Sequence, residues 1–287
     1  MSSKTIQTSQ IETPKVTVAI PVYNGSQYIK DAIDSVEKST FTDFEIFLIN
    51  DGSTDDSFEV CKALAQNHPN ITFHSYKENQ GLSNVLNHIL NNAKGECIAR
   101  LNQDDLMRPD RLQKQVDFLE KHSDVVAVGS WIRLFDEFGE EVMVLKFMST
   151  DEKIRKHWLY VGPFSDPTVM YRKSTALSAG GYEQDYWPAD DTQFWYKLGA
   201  KGKLANLQEV LVDVRWHGEA GSLKYMGKMA DSLYKAHRYA HNNVQKGSLV
   251  TQAYWVFQLL SNKLLPPRLS WWVYRQLKQG IAFVLGK

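Results

Sequence analysis

Two pairs of adjacent aspartates are the residues best suited to chemistry in this 287-residue chain. The first pair, Asp104-Asp105, lies just beyond a predicted buried strand over Cys97–Leu101. Neighbouring carboxylates repel each other, and burying them unpaired is costly. A divalent metal that bridges to a phosphate would relieve this cost. The alternative is an acidic loop in which Asp105 or Asp110 caps the next helix.

The second pair, Asp190-Asp191, opens a predicted helix, where the helix dipole favours carboxylates. Capping alone would account for only one of the two acids. Trp187 and Trp195 flank the pair, and aromatic rings serve both as platforms for sugar faces and as core residues. His217 follows a predicted strand over Val210–Trp216. Two roles are open for this histidine, that of a metal ligand and a purely structural one.

The elements that must position these residues alternate through the first hundred residues. Apolar strands and amphipathic helices are predicted, in order, over Val16–Pro21, Ser26–Ser39, Phe44–Asn50, Ser57–Asn67, Ile71–Tyr76, Leu82–Asn92 and Cys97–Leu101. This order predicts an α/β fold with a mostly parallel sheet and helices on both faces. Ligands bind at the carboxyl ends of such strands. Polar side chains follow these ends: Tyr23, Asn24, Asp51, Asn79, Asn102, Asp104 and Asp105.

The elements beyond the first acidic pair are less regular. The pattern predicts a helix over Arg108–His122, a strand over Val125–Trp131 and a hairpin turn at Glu137–Gly139. A short helix capped by Ser149 or Thr150 and a strand over Pro167–Tyr171 follow.

Two common classes of nucleotide site are excluded because the sequence lacks their glycine-rich motifs. The sequence of the first turn, PVYNG, contains no GxGxxG, which argues against a dinucleotide fold, and the chain has no GxxxxGK[ST] phosphate loop. A diphosphate would therefore have to be held through a metal. Asp51 is placed to accept a hydrogen bond from a base or ribose, or to cap the following helix.

The ordered motifs resemble those of inverting family 2 glycosyltransferases with the GT-A fold, and in particular of bacterial enzymes that build surface polysaccharides. The likeness runs from Val16 to about Ser222. It rests on VAIPVYNG, LINDGSTDDS, NQGLSNVLN, KGECIARLNQDD with MRPDRL, DPTVMYRKS, GGY, the aspartates at 190–191, and VRWHGEAGS. Each motif is weak alone, but eight in the right order are specific.

The resemblance implies that a sugar moves from a nucleotide-diphosphate donor, a UDP-sugar, to a hydroxyl of a glycan or lipid-linked acceptor with inversion. Asp104 matches a ligand of Mg²⁺ or Mn²⁺, and His217 matches a histidine near the diphosphate. Asp191 matches the catalytic base, and Trp187, Asp190 and Trp195 would surround the acceptor. The implied donor-binding set is Pro21, Tyr23, Asn24, Asp51, Asn79, Arg100, Asn102, Gln103 and Asp104.

The sequence also departs from the family pattern. Asn102 stands at the first acid of the DxD motif, Asn50 replaces a frequent aspartate, and Asp190 replaces the usual glutamate. One rival interpretation is a metal-dependent nucleotidyltransferase, which would need a glycine- and lysine-rich phosphate loop that PVYNG does not supply. Another is a non-catalytic subunit of the same fold, which only Asn102 and Asn50 favour.

The charge of the chain is divided unevenly. The whole chain is neutral, but the segment from Lys224 to the end has ten basic residues and one acid, Asp231. Three helices are predicted there, over 223–243, 248–264 and 269–285. The basic, aromatic and amphipathic character of residues 248–287 predicts contact with an anionic membrane surface. The alternative is a helical cap on the core or on a second subunit, and nucleic acid is not expected.

These patterns divide the chain into three parts. Residues 1–14 are expected to form a disordered leader, 15–222 a catalytic domain with a nucleotide-binding half (15–105) and an acceptor half (106–222), and 223–287 a basic helical tail. Two lone cysteines suit a reducing compartment, and neither a signal peptide nor a membrane-spanning run is present. We therefore expect a cytoplasmic protein that associates peripherally with the inner face of the plasma membrane.

Overall fold

A computed structural model of the chain describes residues 13–216 and 226–264. One nine-stranded mixed sheet runs through it. The predicted helix over 269–285 and the leader up to residue 12 lie outside the described residues, as does His217. The division into leader, catalytic domain and tail therefore stays a prediction.

The first half of the sheet is parallel, as the alternating pattern predicts. Its strands are β1 (Val16–Val22), β2 (Phe44–Asp51), β3 (Ile71–Tyr76) and β4 (Cys97–Arg100), and β1–β2, β2–β3 and β1–β4 all pair in parallel. The intervening helices are α1 (Ile29–Glu37), α2 (Ser57–Asn67) and α3 (Leu82–Asn92). All four strands therefore place their carboxyl ends at the same edge of the sheet.

The second half of the sheet is mixed. Its elements are β5 (Leu106–Met107), α4 (Arg111–Lys121), β6 (Val125–Phe135), β7 (Glu141–Leu145), α5 (Asp151–His157), β8 (Met170–Arg172), α6 (Lys173–Ser178), α7 (Asp190–Gly199) and β9 (Lys203–Arg215). Strand β8 is antiparallel to both β4 and β6, while β6 and β9 are parallel. Strand β5 pairs with the end of β9. This pairing holds the chain just beyond Asp105 against β9. The strand order across the sheet is β3-β2-β1-β4-β8-β6-β9-β5, with β7 paired to β6.

Several predicted boundaries in this half are wrong. The strand predicted from Pro167 begins instead at Met170, and Asp166–Thr168 forms a 3-10 turn, which suits a proline in a first turn. Strand β9 starts seven residues before the predicted Val210, because its middle carries polar residues on its exposed face. The cap of α5 is Thr150, whose hydroxyl accepts from the backbone N–H of Lys153.

Two apolar layers cover the sheet. One lies against α1, α2 and α4 and includes Ile33 and Leu112, and the other lies against α3 and α7 and includes Leu86 and Phe194. Both free cysteines, Cys61 and Cys97, are buried in the first layer. The sheet is thus covered on both faces, as a parallel sheet requires.

Two helices beyond the sheet, α8 (Met226–Asn243) and α9 (Leu249–Leu264), pack on the body of the protein. The indole Nε1 of Trp255 on α9 donates to the carbonyl of Leu159 at 2.7 Å, and its ring stacks on His237 of α8. His237 is buried, and the loss of solvation lowers its pKa to about 4. These two helices are therefore a cap on the core. Among the described residues, no helix is long and apolar enough to cross a membrane.

Candidate active site

The first turn of the chain is fastened to the loop after β2. Asn24 has a positive φ of 51°, which asparagine tolerates better than most residues. Its Oδ1 accepts from the backbone N–H of Thr54 at 2.8 Å, and its own N–H donates to the Ser53 hydroxyl at 3.0 Å. Pro21 stands near the end of β1, and the side chain of Tyr23 is 45% exposed beside the turn. The turn thus offers an exposed aromatic ring on a fixed backbone.

Asp51 organises the loop after β3. Its two carboxylate oxygens accept from the backbone N–H groups of Gln80 at 2.7 Å and Gly81 at 3.1 Å. Asn79 donates through Nδ2 to the Asp51 carbonyl at 3.3 Å. Burial raises the pKa of Asp51, and the two backbone donors oppose this rise. Capping of α2, the alternative role for Asp51, is not what its carboxylate does here.

Gln103 joins the first turn to the acidic turn across eighty residues of sequence. Its Oε1 accepts from the Tyr23 N–H at 2.8 Å, and its Nε2 donates to the Tyr23 carbonyl at 3.2 Å. A Cβ placed on Gly25 would lie 2.4 Å from the Gln103 amide. Gly25 therefore leaves room for the side chain that ties the two turns together.

The first acidic pair separates into one buried and one partly exposed carboxylate. Asp105 is 1% exposed, and its Oδ1 accepts from the Arg215 N–H at 3.2 Å while its Oδ2 accepts from Asn102 Nδ2 at 3.0 Å. Burial, and then the charge of Asp104, raise the pKa of Asp105 to about 8. Asp104 is the partly exposed member of the pair. Of the two, Asp104 is the one that a ligand can reach.

Arg215 is a site residue that the sequence reasoning missed. It closes β9, and its Nε donates to the Asp104 carbonyl at 3.3 Å. Its guanidinium lies 4.8 Å from the ring centre of Phe135 and 3.5 Å from the Asp31 carboxylate. Arg215 belongs to the motif VRWHGEAGS, but from the sequence it is only the last residue of a strand. The pairing of β5 with β9 is what brings it next to Asp104.

Arg100 has no exposed surface that a donor could contact, which corrects its predicted donor-binding role. The side chain is fully buried beneath the acidic turn. Its Nη2 donates to Asp166 Oδ2 at 2.7 Å and to Asn102 Oδ1 at 3.1 Å, and its Nη1 donates to the Ala19 carbonyl at 3.1 Å. A buried arginine needs such partners because an unpaired buried charge is costly. Arg100 therefore supports the site from below.

The second acidic pair opens α7, and one of its members has an unusual pKa. Asp190 is buried and accepts from the Ser83 hydroxyl at 2.6 Å. Asp191 is partly exposed, and its Oδ1 accepts from the Thr192 N–H at 2.6 Å. Burial, Asp166 and Asp190 together raise the pKa of Asp191 to about 7. Among the described residues, no hydrogen bond reaches the other oxygen of Asp191.

The two predicted acceptor tryptophans differ. Trp195 is 1% exposed and packs edge-on against Phe164, so its predicted role as an acceptor platform is wrong. Trp195 packs in the core because α7 turns this position toward the sheet. Trp187 is partly exposed, and Lys228 Nζ lies 5.6 Å from its ring centre. Trp187 keeps the exposure that stacking on a sugar requires.

The oxygen ligands present fit a metal held mainly by a bound substrate. Among residues 13–216 and 226–264, no cluster of three histidine, cysteine or acidic side chains could hold an ion alone. Mg²⁺ and similar ions are often bound through one or two carboxylates together with substrate phosphates. Asp104 supplies such a carboxylate, and it is partly exposed. Asp104 would therefore be the residue of this turn that holds a divalent ion, together with the diphosphate of a bound substrate.

The comparison with known families decides the class of protein. Residues 17–179, more than half of the chain, match the family described as Glycosyl transferase family 2. The chain is a family 2 glycosyltransferase. The enzyme has the GT-A fold predicted from its motifs, and the family supports the glycosyltransferase interpretation over the nucleotidyltransferase and non-catalytic alternatives.

Proteins similar to this glycosyltransferase include bacterial glycosyltransferases, one of them an enzyme of O-antigen biosynthesis. It is 27% identical over 271 residues to a UDP-Gal:alpha-D-GlcNAc-diphosphoundecaprenol beta-1,3-galactosyltransferase of Escherichia coli, covering 93% of this chain and 97% of that one. It is 28% identical over 242 residues to the O-antigen biosynthesis glycosyltransferase WbnJ of Escherichia coli, covering 82% and 91%. The solved mannosyltransferase PcManGT of Pyrobaculum calidifontis, in complex with GDP-Man and Mn²⁺, has a similar fold, with a TM-score of 0.59, 19% identity and coverage of 96% and 81%.

Proposed function

We propose that this glycosyltransferase moves a sugar from a UDP-sugar to a hydroxyl of a glycan or lipid-linked acceptor with inversion at the anomeric carbon. The observation that carries the proposal is Asp191, a partly exposed carboxylate with a pKa near neutrality at the start of α7. A general base works best when its pKa lies near the working pH. The names of the Escherichia coli relative's donor and acceptor supply the substrate classes.

The donor would lie along the carboxyl ends of β1, β2 and β4. The exposed ring of Tyr23 and the loop that Asp51 orders would contact the nucleoside, and Asp104 would face the diphosphate. A bound Mg²⁺ or Mn²⁺ would supply Lewis-acid stabilisation of the departing diphosphate. Gln103 and Arg215 fix the backbone on both sides of Asp104, so they would hold the carboxylate in place for the ion.

The acceptor would enter on the α7 side. Asp191 would take the proton from the acceptor hydroxyl as that oxygen attacks the anomeric carbon from the face opposite the diphosphate. Thr192 occupies Oδ1, so Oδ2, which no hydrogen bond from the described part of the chain reaches, is the oxygen available for the proton. Trp187 would provide an apolar face for the acceptor sugar. Attack from the opposite face produces inversion.

An acceptor-dependent transfer assay tests this function. The purified enzyme would be incubated with Mn²⁺, a panel of UDP-sugars and GlcNAc-diphospholipid analogues, and UDP release would be followed. We expect one UDP-sugar to give UDP release that rises on addition of an acceptor. GDP-sugars, followed by release of GDP, test whether the enzyme uses guanine in place of uracil. The proposal would be contradicted if no UDP-sugar gave acceptor-dependent UDP release above background.

We also propose that α9 contacts an anionic membrane surface, where a lipid-linked acceptor would be found. One side of the helix packs on the core, but six large apolar side chains of its described residues are exposed, including Leu249 (84% exposed), Phe257 (50%) and Leu260 (48%). The neighbouring helix α8 carries three exposed basic side chains, those of Lys228, Lys235 and Arg238. Apolar groups flanked by basic ones suit the interface of an anionic bilayer.

Phe257→Asp is expected to weaken membrane binding about tenfold, because burial of a phenylalanine contributes about 1.5–3 kcal/mol. Flotation with phosphatidylglycerol vesicles measures the bound fraction, and phosphatidylcholine vesicles test the need for anionic lipid. Gln66→Asp on exposed α2 is the matched control, since it adds the same charge away from α9. Equal flotation of the two variants, or none for the wild type, would exclude this surface.

A further inference from the structure

We infer that Asn102 is a positioning residue whose amide, rather than a carboxylate, is required to hold Asp104 in place. Its position matches the first acid of the DxD motif, so the simplest interpretation is a metal ligand lost through drift. The contacts of Asn102 indicate a different role. This inference rests on the proposed function, because it concerns the donor site of that reaction.

Asn102 is the middle link of a hydrogen-bonded chain. Its Nδ2 donates to Asp105 Oδ2 at 3.0 Å, and its Oδ1 accepts from Arg100 Nη2 at 3.1 Å. The same Arg100 nitrogen donates to Asp166 Oδ2 at 2.7 Å. The chain Asp105–Asn102–Arg100–Asp166 thus runs from the donor turn to a carboxylate whose charge acts on Asp191.

The link requires one donor and one acceptor at position 102, and of an amide and an ionised carboxylate only the amide provides both. A carboxylate there could accept from Arg100, but it has no N–H to donate to Asp105 Oδ2. It would also add a negative charge next to two other carboxyl groups, those of Asp104 and Asp105. Like charges at this separation repel strongly when buried. An aspartate at position 102 would therefore break the link that the asparagine makes.

The link determines where Asp104 points. Asp104 lies between Asn102 and Asp105, whose side chains are joined to each other. The backbone N–H of Asp105 also donates to the Asn102 carbonyl at 3.4 Å, which closes the turn. Arg215 fixes the far side through Asp105 Oδ1. With both of its neighbours held, Asp104 has little freedom, and an ion that it binds meets a preformed ligand.

The test compares Asn102→Asp with a double variant that exchanges the two groups. In Asn102→Asp combined with Asp105→Asn, the amide at position 105 can donate to the carboxylate at position 102 and still accept from the Arg215 N–H. The net charge equals that of the wild type. Gln66→Glu, on the exposed face of α2, is the matched control for an added carboxylate. Each protein is examined by calorimetry with UDP and Mn²⁺ and by thermal unfolding without metal.

We expect Asn102→Asp to weaken Mn²⁺-dependent UDP affinity about tenfold or more and to lower the unfolding temperature, in line with losses for outer partners of metal ligands. The exchanged double variant should recover most of the affinity and most of the unfolding temperature, and Gln66→Glu should match the wild type. Tighter Mn²⁺-dependent binding in Asn102→Asp, or no recovery in the double variant, would overturn the inference.

Failure of the inference can be told apart from failure of the proposed function. If the wild type shows no Mn²⁺-dependent UDP binding, the proposed donor site is wrong. In that case the unfolding temperatures still test the hydrogen-bonded chain, because they need neither nucleotide nor metal. If the wild type binds UDP with Mn²⁺ and Asn102→Asp binds equally well, only the role of Asn102 is wrong.

Discussion

Asp191→Asn is expected to lower the rate constant of sugar transfer by about 10²–10⁴-fold, the usual contribution of a general base. The amide is nearly the same size and can still accept from Thr192, but it cannot take the acceptor proton. Binding of UDP and Mn²⁺ should be unchanged, because the proposed donor contacts lie at the ends of β1 and β2 and on the acidic turn. Initial rates of UDP release and calorimetry measure the two quantities separately.

The pH dependence of the wild type belongs to the same prediction. The pKa of Asp191 is raised to about 7 by burial and by the charges of Asp166 and Asp190. Below this value the base is protonated, so the rate should fall about tenfold for each pH unit, and above it the rate should level off. Asp185→Asn, an exposed acid just before α7, is the control and should keep the wild-type profile. A wild-type rate in Asp191→Asn would remove this residue from the mechanism.

Asp104→Ala is expected to abolish the metal-dependent part of nucleotide binding. Loss of even the outer partners of metal ligands costs about 10–100-fold in metal affinity, so the loss of a ligand should cost at least as much. Without that carboxylate the donor diphosphate would be held by its own contacts alone. Calorimetry with UDP, in the presence of Mn²⁺ and in the presence of a chelator, measures the difference.

The chelator provides an internal comparison for Asp104→Ala. We expect wild-type affinity in chelator to fall to the value of the variant, and the variant to show no further fall. Asp43→Ala, exposed at the opposite edge of the sheet just before β2, should behave as the wild type. If Mn²⁺ strengthened UDP binding equally in the wild type and in Asp104→Ala, another residue would hold the ion.

The parallel half of the fold was predictable because its signals are local. The bounds of α2, β3 and α3 match the predicted ones, since apolar runs, amphipathic spacing and turn residues mark each end within a few residues. The edge where polar residues gather follows from parallel pairing alone. The mixed half was predicted less well, because the polar middle of β9 and the 3-10 turn at Pro167 give no alternating pattern.

The long-range hydrogen bonds that hold the site residues in place could not be predicted from local sequence. The bond between Arg215 and Asp105 joins residues 110 positions apart, and the bond between Arg100 and Asp166 joins residues 66 apart. From the sequence, Trp195 could face either the acceptor or the core. The orientation of α7 places it in the core. Asn102 looked like a departure from a motif until its two partners were seen on either side of its amide.

The stereochemistry of the product tests the central claim most directly. In the transfer assay, an α-linked UDP-sugar would be given to the enzyme with a suitable acceptor, and the new linkage would be read from the anomeric proton coupling by NMR. Attack by a hydroxyl activated by Asp191, from the face opposite the diphosphate, predicts a β-linked product. An α-linked product from the same donor would contradict the account.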